Sequence, residues 1–218
     1  MITKIYKINN SNKKELNQIC ELFSNNSYQD HQYKKISKDQ NKIKELIKIQ
    51  TKQLLQSNNN SIEIYSPNDK LQSIIILINT KDKDYAKKIF SNKNSIKQFK
   101  QIKKQFSYLK TIKILLHTIK TNNTLKKLIS KSDYLLYNII VDNKAKGQGH
   151  ATKLLNPILN KFDNEKLTCK LLTHNPSNTH IYEHFGFKID DLKTENKIKN
   201  YIMIRHPQIN KIRIKKQF

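Results

Sequence analysis

Val141-Asp-Asn-Lys-Ala-Lys-Gly-Gln-Gly-His-Ala-Thr-Lys-Leu-Leu155 is the stretch on which the reading of this chain turns. It holds two of the three glycines in 218 residues, Gly147 and Gly149. Glycine permits φ > 0 and lets a backbone come close to a ligand. Just before it, Tyr134–Val141 is nearly continuously apolar, which predicts a central strand. Just after it, Ala151, Leu154, Leu155, Ile158, Leu159 and Phe162 recur at helical spacing, and Pro157 predicts a kink or a loosened turn. Strand, glycine loop and helix together make an anion-binding layout. Successive N–H groups in such a turn form a nest, and the helix N-terminus adds unsatisfied donors and a partial positive charge. Lys144 and Lys146 supply full charges. Two other phosphate loops do not fit: there is no G-x-x-x-x-G-K-S/T, and Thr152 stands where a dinucleotide fingerprint needs its third glycine. Taken alone, the two glycines also suit an ordinary β-to-α turn.

Downstream, Leu167–Thr173 predicts the next strand. Asn175 is a good N-cap with Pro176 behind it, and the short helix carrying Ile181, Tyr182 and Phe185 stops at Gly186, the third glycine. Phe187–Ile189 and Tyr201–Arg205 predict the last strands, followed by a basic tail over 208–218. Upstream, residues 2–8 alternate as a strand. Ser11 is placed to cap a helix carrying Leu16, Ile19, Cys20 and Phe23. A second helix is expected over 38–56. Ile62–Ser66 and Gln72–Asn79 predict a hairpin around Pro67-Asn-Asp-Lys70. Residues 82–130 have helical periodicity, with breaks expected near Ser91 and Thr121-Asn-Asn123. The order predicts one α/β (mixed α+β) domain over 1–207, with a central mixed sheet of about seven strands flanked by helices and a helical insert before the central strand.

Composition narrows the function classes. The net charge of +25 ordinarily points to an anionic partner. Here the lysines are spread through every segment, Arg205 and Arg213 are the only arginines, and no nucleic-acid-binding signature occurs. Asparagine, isoleucine and lysine dominate, as in an AT-rich coding sequence. Nucleic acid is therefore not the expected partner. No apolar run is long enough for a membrane span, and the N-terminus lacks a signal-peptide core, so a cytoplasmic protein is expected. Cys20 and Cys169 have no metal or redox spacing and read as buried thiols. His180 and His184 share a helical face, but the order is not H-E-x-x-H and no further carboxylate or Cys is well placed, so no metal is expected.

The opening stretch resembles the acyl-CoA-binding motif of the GNAT N-acetyltransferases, Gln/Arg-x-x-Gly-x-Gly/Ala, with Lys144 at the first position. Leu171-Leu-Thr-His-Asn-Pro-Ser-Asn-Thr-His-Ile-Tyr-Glu-His-Phe-Gly-Phe187 resembles that superfamily's second signature, an Asn followed four residues later by a Tyr and then a Gly-Phe pair. The interval between the two motifs also fits. Tyr201-Ile-Met-Ile-Arg-His-Pro207 is similar to the closing strand of a subgroup organised like puromycin N-acetyltransferase. In that subgroup an early segment often reads Asp-Pro, to which Asp30-His31 would correspond. The specific likeness covers residues 134–207.

The resemblance implies acetyl-CoA as co-substrate, an amine as acceptor, and a monomer or homodimer. By position, the backbone of Ile139, Ile140 and Val141 would bind the pantetheine arm. Lys146, Gly147, Gln148, Gly149, His150 and Ala151 would cradle the pyrophosphate. Lys144 keeps the charge of the usual Arg but loses its planar fork. Asn178 would contact the CoA chain, and Tyr182 would protonate the departing thiolate. Tyr182 also suits a core position, between apolar Ile181 and Phe185. The base is left open among Asp30, His31, Glu63, His117 and Asp133. Two other readings remain: a non-catalytic CoA-binding module of the same fold, and a basic nucleic-acid-binding protein indifferent to acetyl-CoA, with a steep salt dependence.

Overall fold

A computed structural model describes residues 6–7, 12–56, 61–67, 71–81, 95–129, 131–195 and 198–208. Among them, seven strands form one mixed sheet: β1 (Tyr6–Lys7), β2 (Ile62–Ser66), β3 (Ser73–Asn79), β4 (Tyr134–Val141), β5 (Cys169–Thr173), β6 (Lys188–Glu195) and β7 (Ile198–Arg205). Their order is β1-β2-β3-β4-β5-β7-β6. The β4–β5 pair is parallel, and the other pairs are antiparallel. The helices are α1 (Lys13–Ser27), α2 (His31–Lys34), α3 (Gln40–Gln56), α4 (Ser95–Lys103), α5 (Tyr108–Ile129), α6 (His150–Asn164) and α7 (Pro176–His184).

Both faces of the sheet are covered, which is why β3 and β4 read as apolar runs. Ile74, Ile76 and Ile78 point into one core with α1, α3 and Leu125 of α5. Ile75 and Leu77 point the other way, into a core with α6, Tyr182 and Phe187. The period of two along a strand makes this division. A third cluster, Leu46, Ile102, Phe106 and Ile114, pins α4 and α5 onto α3. Each fully buried Leu or Ile contributes about 1.5–3 kcal/mol.

Two irregularities shape the sheet. Along β3–β4, the register passes from Ile76↔Asn138 to Leu77↔Leu136, leaving Tyr137 as an extra residue. Along β4–β5, paired residues run only from Tyr134↔Cys169 to Leu136↔Leu171. The β4 strand therefore bends at Tyr137, as a bulged strand does, and parts from β5 just there. Beyond the bulge, β4 keeps its β3 partners but has no β5 partner among the described residues. At the far edge, the β6–β7 register leaves Asp190 extra. Its carboxylate lies 2.6 Å from the ammonium of Lys170, a buried β5 residue.

Several boundaries differ from expectation. The helical insert breaks at Lys104–Ser107, and α5 runs unbroken through Thr121-Asn-Asn123. The hydroxyls of Thr118, Thr121 and Thr124 donate to the carbonyls of Ile114, His117 and Lys120 one turn back, so these residues stay within the helix. Asn12 caps α1, its Oδ1 accepting from the N–H of Lys14 at 2.9 Å. The α6 helix runs through Pro157, as expected, and ends two residues beyond Phe162. The final hairpin is longer than its apolar residues suggest, because β6 is a polar edge strand. Ser11, the first residues of the N-terminal strand, the hairpin tip at 68–70, the expected break near Ser91 and the tail from 209 lie outside the described residues.

Candidate active site

The parting of β4 and β5 opens a groove of about 1130 Å³ that reaches both faces of the sheet. Ile139, Ile140 and Val141 line it from β4, with Leu172 and Thr173 from β5. The β4 backbone groups on this side have lost their strand partner, and a buried backbone donor or acceptor left unpaired is costly. An extended amide-bearing ligand would pair with them as an added strand.

The glycine loop stands where β4 ends. Gly147 and Gly149 take φ of 78° and 71°, the left-handed region, and Gly149 is the N-cap of α6. Among the described residues, no hydrogen-bond partner takes the N–H of Lys146, Gly147, Gly149, His150 or Ala151. Consecutive free donors at a helix N-terminus form an anion cradle. Four contacts fix its frame. Asp142 donates its N–H to the Gln72 carbonyl at 2.8 Å, and its Oδ1 accepts from the Lys144 N–H at 2.9 Å. Asn26 Oδ1 accepts from the Asn143 N–H at 2.8 Å, and the His150 ring meets Ser73 Oγ at 3.0 Å. Lys146 and Ala151 border the groove; Lys144, Gly147, Gln148 and Gly149 lie on the exposed loop outside its wall, and His150 is buried beneath it.

Tyr182 and Asn178 come from α7, whose N-cap is Asn175 as expected. The Tyr182 ring packs edge-on to Phe187, centroids 5.9 Å apart, so it is a core aromatic and a groove residue at once. Burial pushes its phenol up to about 12, so it holds its proton at neutral pH.

The candidate bases separate clearly. Asp30 and His117 border the groove. Burial raises the Asp30 carboxyl, partly offset by Lys146 and then Lys34. Glu63 lies elsewhere: buried, it accepts from the hydroxyls of Tyr65 and Tyr134. Asp133 is also elsewhere, its Oδ2 accepting from the N–H and hydroxyl of Thr168 at 2.8 Å each. Both are structural, and neither borders the groove. His31 starts α2, within one residue of Asp30. His180 faces Glu183 at 3.2 Å, and no group of three metal-binding side chains forms among the described residues.

Several groove residues stand outside the candidate site residues read from the sequence. His174, just after β5, is one. Tyr33, Gln50 and Thr118 make another set: the Tyr33 hydroxyl donates to Gln50 Oε1 at 3.3 Å, and the Gln50 amide donates to Thr118 Oγ1 at 3.4 Å. They come from α2, α3 and α5, so only the tertiary fold joins them.

The acetyltransferase (GNAT) domain family matches residues 87–204. An uncharacterized N-acetyltransferase of Schizosaccharomyces pombe is 37% identical over 90 residues, covering 39% of this chain and 36% of that protein's length. A Corynebacterium glutamicum structure, a histone acetyltransferase and related acetyltransferase, superposes with a TM-score of 0.57 at 10% identity, over 97% of this chain and 100% of that one. The PaiA N-acetyltransferase of Thermoplasma acidophilum, solved in complex with coenzyme A, gives 0.52 at 15% identity, over 93% and 98%. At such identities the two structures speak for the fold alone. No described helix is long and apolar enough to cross a membrane.

Proposed function

The chain belongs to the GNAT acetyltransferase family, and from that premise we propose that it transfers the acetyl group of acetyl-CoA to an amine by direct attack on the thioester. One observation carries this reading. The opening between β4 and β5 has an anion cradle at one end and a protonated phenol, Tyr182, in its wall. A pantetheine arm lying along Ile139–Val141 would put its pyrophosphate near Lys146 to Ala151. Asn178 would meet the arm from α7. Unpaired β4 donors would stabilise the tetrahedral oxyanion. Tyr182 would give its proton to the departing thiolate. The coenzyme A complex of the Thermoplasma relative supports this choice of cofactor.

The helical segment before β4 would wall the acceptor side of one domain spanning 1–207. Gln98, Ile114, His117 and Thr118 reach the groove from it. The acceptor would be neutral or anionic apart from its amine, because the +25 charge repels polycations. Two free, buried thiols suit a reducing compartment such as the cytoplasm.

Calorimetric titration with acetyl-CoA at near-physiological salt, with ATP and NAD as anion controls, tests the cofactor. Micromolar binding that neither control reproduces supports the reading; equal binding of all three reduces the cradle to an ordinary turn. Turnover over an amine panel then separates the enzyme from a non-catalytic CoA-binding module of the same fold.

A further inference from the structure

We propose that His174 takes the proton of the acceptor's ammonium, from the sheet face opposite Tyr182. The inference rests on the acetyl-transfer reading.

The two groups reach one groove from two sides. Tyr182 belongs to the core shared with α6 and Leu171, whereas Leu172 packs with the core of α1 and α3. The His174 ring meets the Asn200 side chain of β7, which shares a strand face with Ile202 of the latter core, and this puts the imidazole on that side. His117 of α5 is near enough to influence its charge, which agrees. The parting of β4 and β5 joins the two faces. A thioester seated there has a proton donor on one side and an imidazole on the other, as direct displacement needs.

The imidazole is suited to accept. Burial and then His117 work against its charged form, opposed by the Asn200 side chain and the Lys199 backbone, and its pKa lies below the usual 6.5. It is therefore neutral at pH 7 with a lone pair available. Its Nδ1 is shielded from water and has no hydrogen-bond partner among the described residues. Such an atom is costly to bury, and a bound N–H offsets that cost. The ring's χ2 well is broad, so a small turn presents Nδ1 to a groove occupant. Of the titratable residues, His117 of α5 acts on its charge and the Lys199 backbone of β7 on its ring; Asp30, Tyr33, Tyr137, Lys146, Tyr182 and Tyr201 line the same groove.

The step balances. One ammonium proton passes to His174, and the freed lone pair forms the C–N bond while the carbonyl π pair moves to oxygen. Collapse breaks the C–S bond, and the thiolate takes the phenolic proton of Tyr182. The second nitrogen proton returns to the phenolate through water, and the imidazolium releases its proton to solvent. The net result is an amide, free CoA thiol and one proton.

The test uses the full chain, its H174Q and H174N variants, and the best amine from the panel. Acetyl-CoA affinity by calorimetry and the thermal melt report fold and cofactor site independently of turnover. The expected result is acetyl-CoA affinity within about twofold of wild type and kcat lowered about 100-fold or more. The acid limb of kcat/KM, with an apparent pKa below 6.5 in wild type, should vanish. An amine already neutral at assay pH should lose far less than an alkylamine, a selectivity that no packing role produces. Unchanged kcat and acid limb in variants that bind acetyl-CoA overturn the assignment of His174 alone. A wild-type protein that turns over no amine overturns the acetyl-transfer reading, and this inference with it.

Discussion

Ser73 Oγ and His150 Nδ1 lie 3.0 Å apart, both residues buried, and tie the first residue of β3 to the first turn of α6. The anion cradle is thus braced from the strand beside it. Ser73→Ala leaves a buried ring nitrogen without its partner, a loss of about 1 kcal/mol. Acetyl-CoA binding should weaken about fivefold in calorimetry, with kcat at saturation unchanged. Undiminished affinity would show that the brace does not hold the cradle.

Tyr182→Phe keeps the ring against Phe187 and removes the phenolic proton. The expected kcat is lower by about 100-fold or more, with acetyl-CoA affinity intact. With the phenol pushed up to about 12, no basic limb from its ionisation should appear at ordinary assay pH. Wild-type kcat in the phenylalanine variant is the outcome that contradicts the role.

At Gly149 an added Cβ would meet nothing within 4 Å, so Gly149→Ala is resisted by backbone strain at φ 71° and not by a clash. The cost is about 1–2 kcal/mol, with asparagine better tolerated than alanine. Thermal melts should rank Gly149 above Asn and Asn above Ala, and acetyl-CoA affinity should follow. Alanine matching the wild type on both scales would mean the loop relaxes freely.

Asp163 and Arg205 meet through two bonds of 2.7 Å, while Arg205 Nε donates to the Phe185 carbonyl at 2.9 Å. The pair fastens α6 to β7 and to the end of α7. Burial pushes the Asp163 carboxyl up, but the Arg205 hydrogen bonds, the Gln208 N–H and the Arg205 charge outweigh it and hold its pKa below the usual 3.8. Asp163→Asn strands a buried guanidinium and should destabilise by about 3 kcal/mol. A carboxyl held low contributes fully above its unfolded pKa and loses that contribution as pH falls through its folded value. Denaturation of the variant should therefore lack part of the wild type's loss of stability below pH 3.8. Parallel acid profiles would remove the pair from the account.

Burial raises the thiol of Cys20 to about 11 and that of Cys169 to about 12. Only thiolate reacts with alkylating reagents. At pH 8 the native protein should resist labelling for hours and take up two equivalents once denatured, read by mass spectrometry. Rapid native labelling would mean that these positions open readily.

The path from β4 through the glycine loop to α7 was legible because each step carried a local signal. These were a continuous apolar strand, glycines at left-handed positions, an Asn cap and a glycine stop. The seven-strand sheet followed from element order. The rest depends on distant partners. Glu63 and Asp133 looked like candidates by neighbourhood, yet their carboxylates are taken by Tyr134 and Thr168, 71 and 35 residues away. His174 does not stand out as a base in the sequence because its neighbour His117 lies on another element. Thr121-Asn-Asn123 reads as a break from its residue types, yet the Thr121 and Thr124 hydroxyls bond the carbonyls one turn back and the helix runs on. Insert residues entered the groove wall only through the packing of Ile102, Phe106 and Ile114 on Leu46.

The Asp190 bulge has a bearing on how these molecules behave when crowded. A strand on the rim of a sheet offers its backbone to any passing chain, and long flat rims seed fibrous aggregates. Here the rim strand carries Lys188, Asp190, Asp191 and Lys193, and its bulge breaks the even ladder that a second molecule would have to match. The aspartate that neutralises Lys170 inside the sheet thus also spoils the outer template, so the protein should stay dispersed at concentrations where a smooth edge would recruit its neighbours.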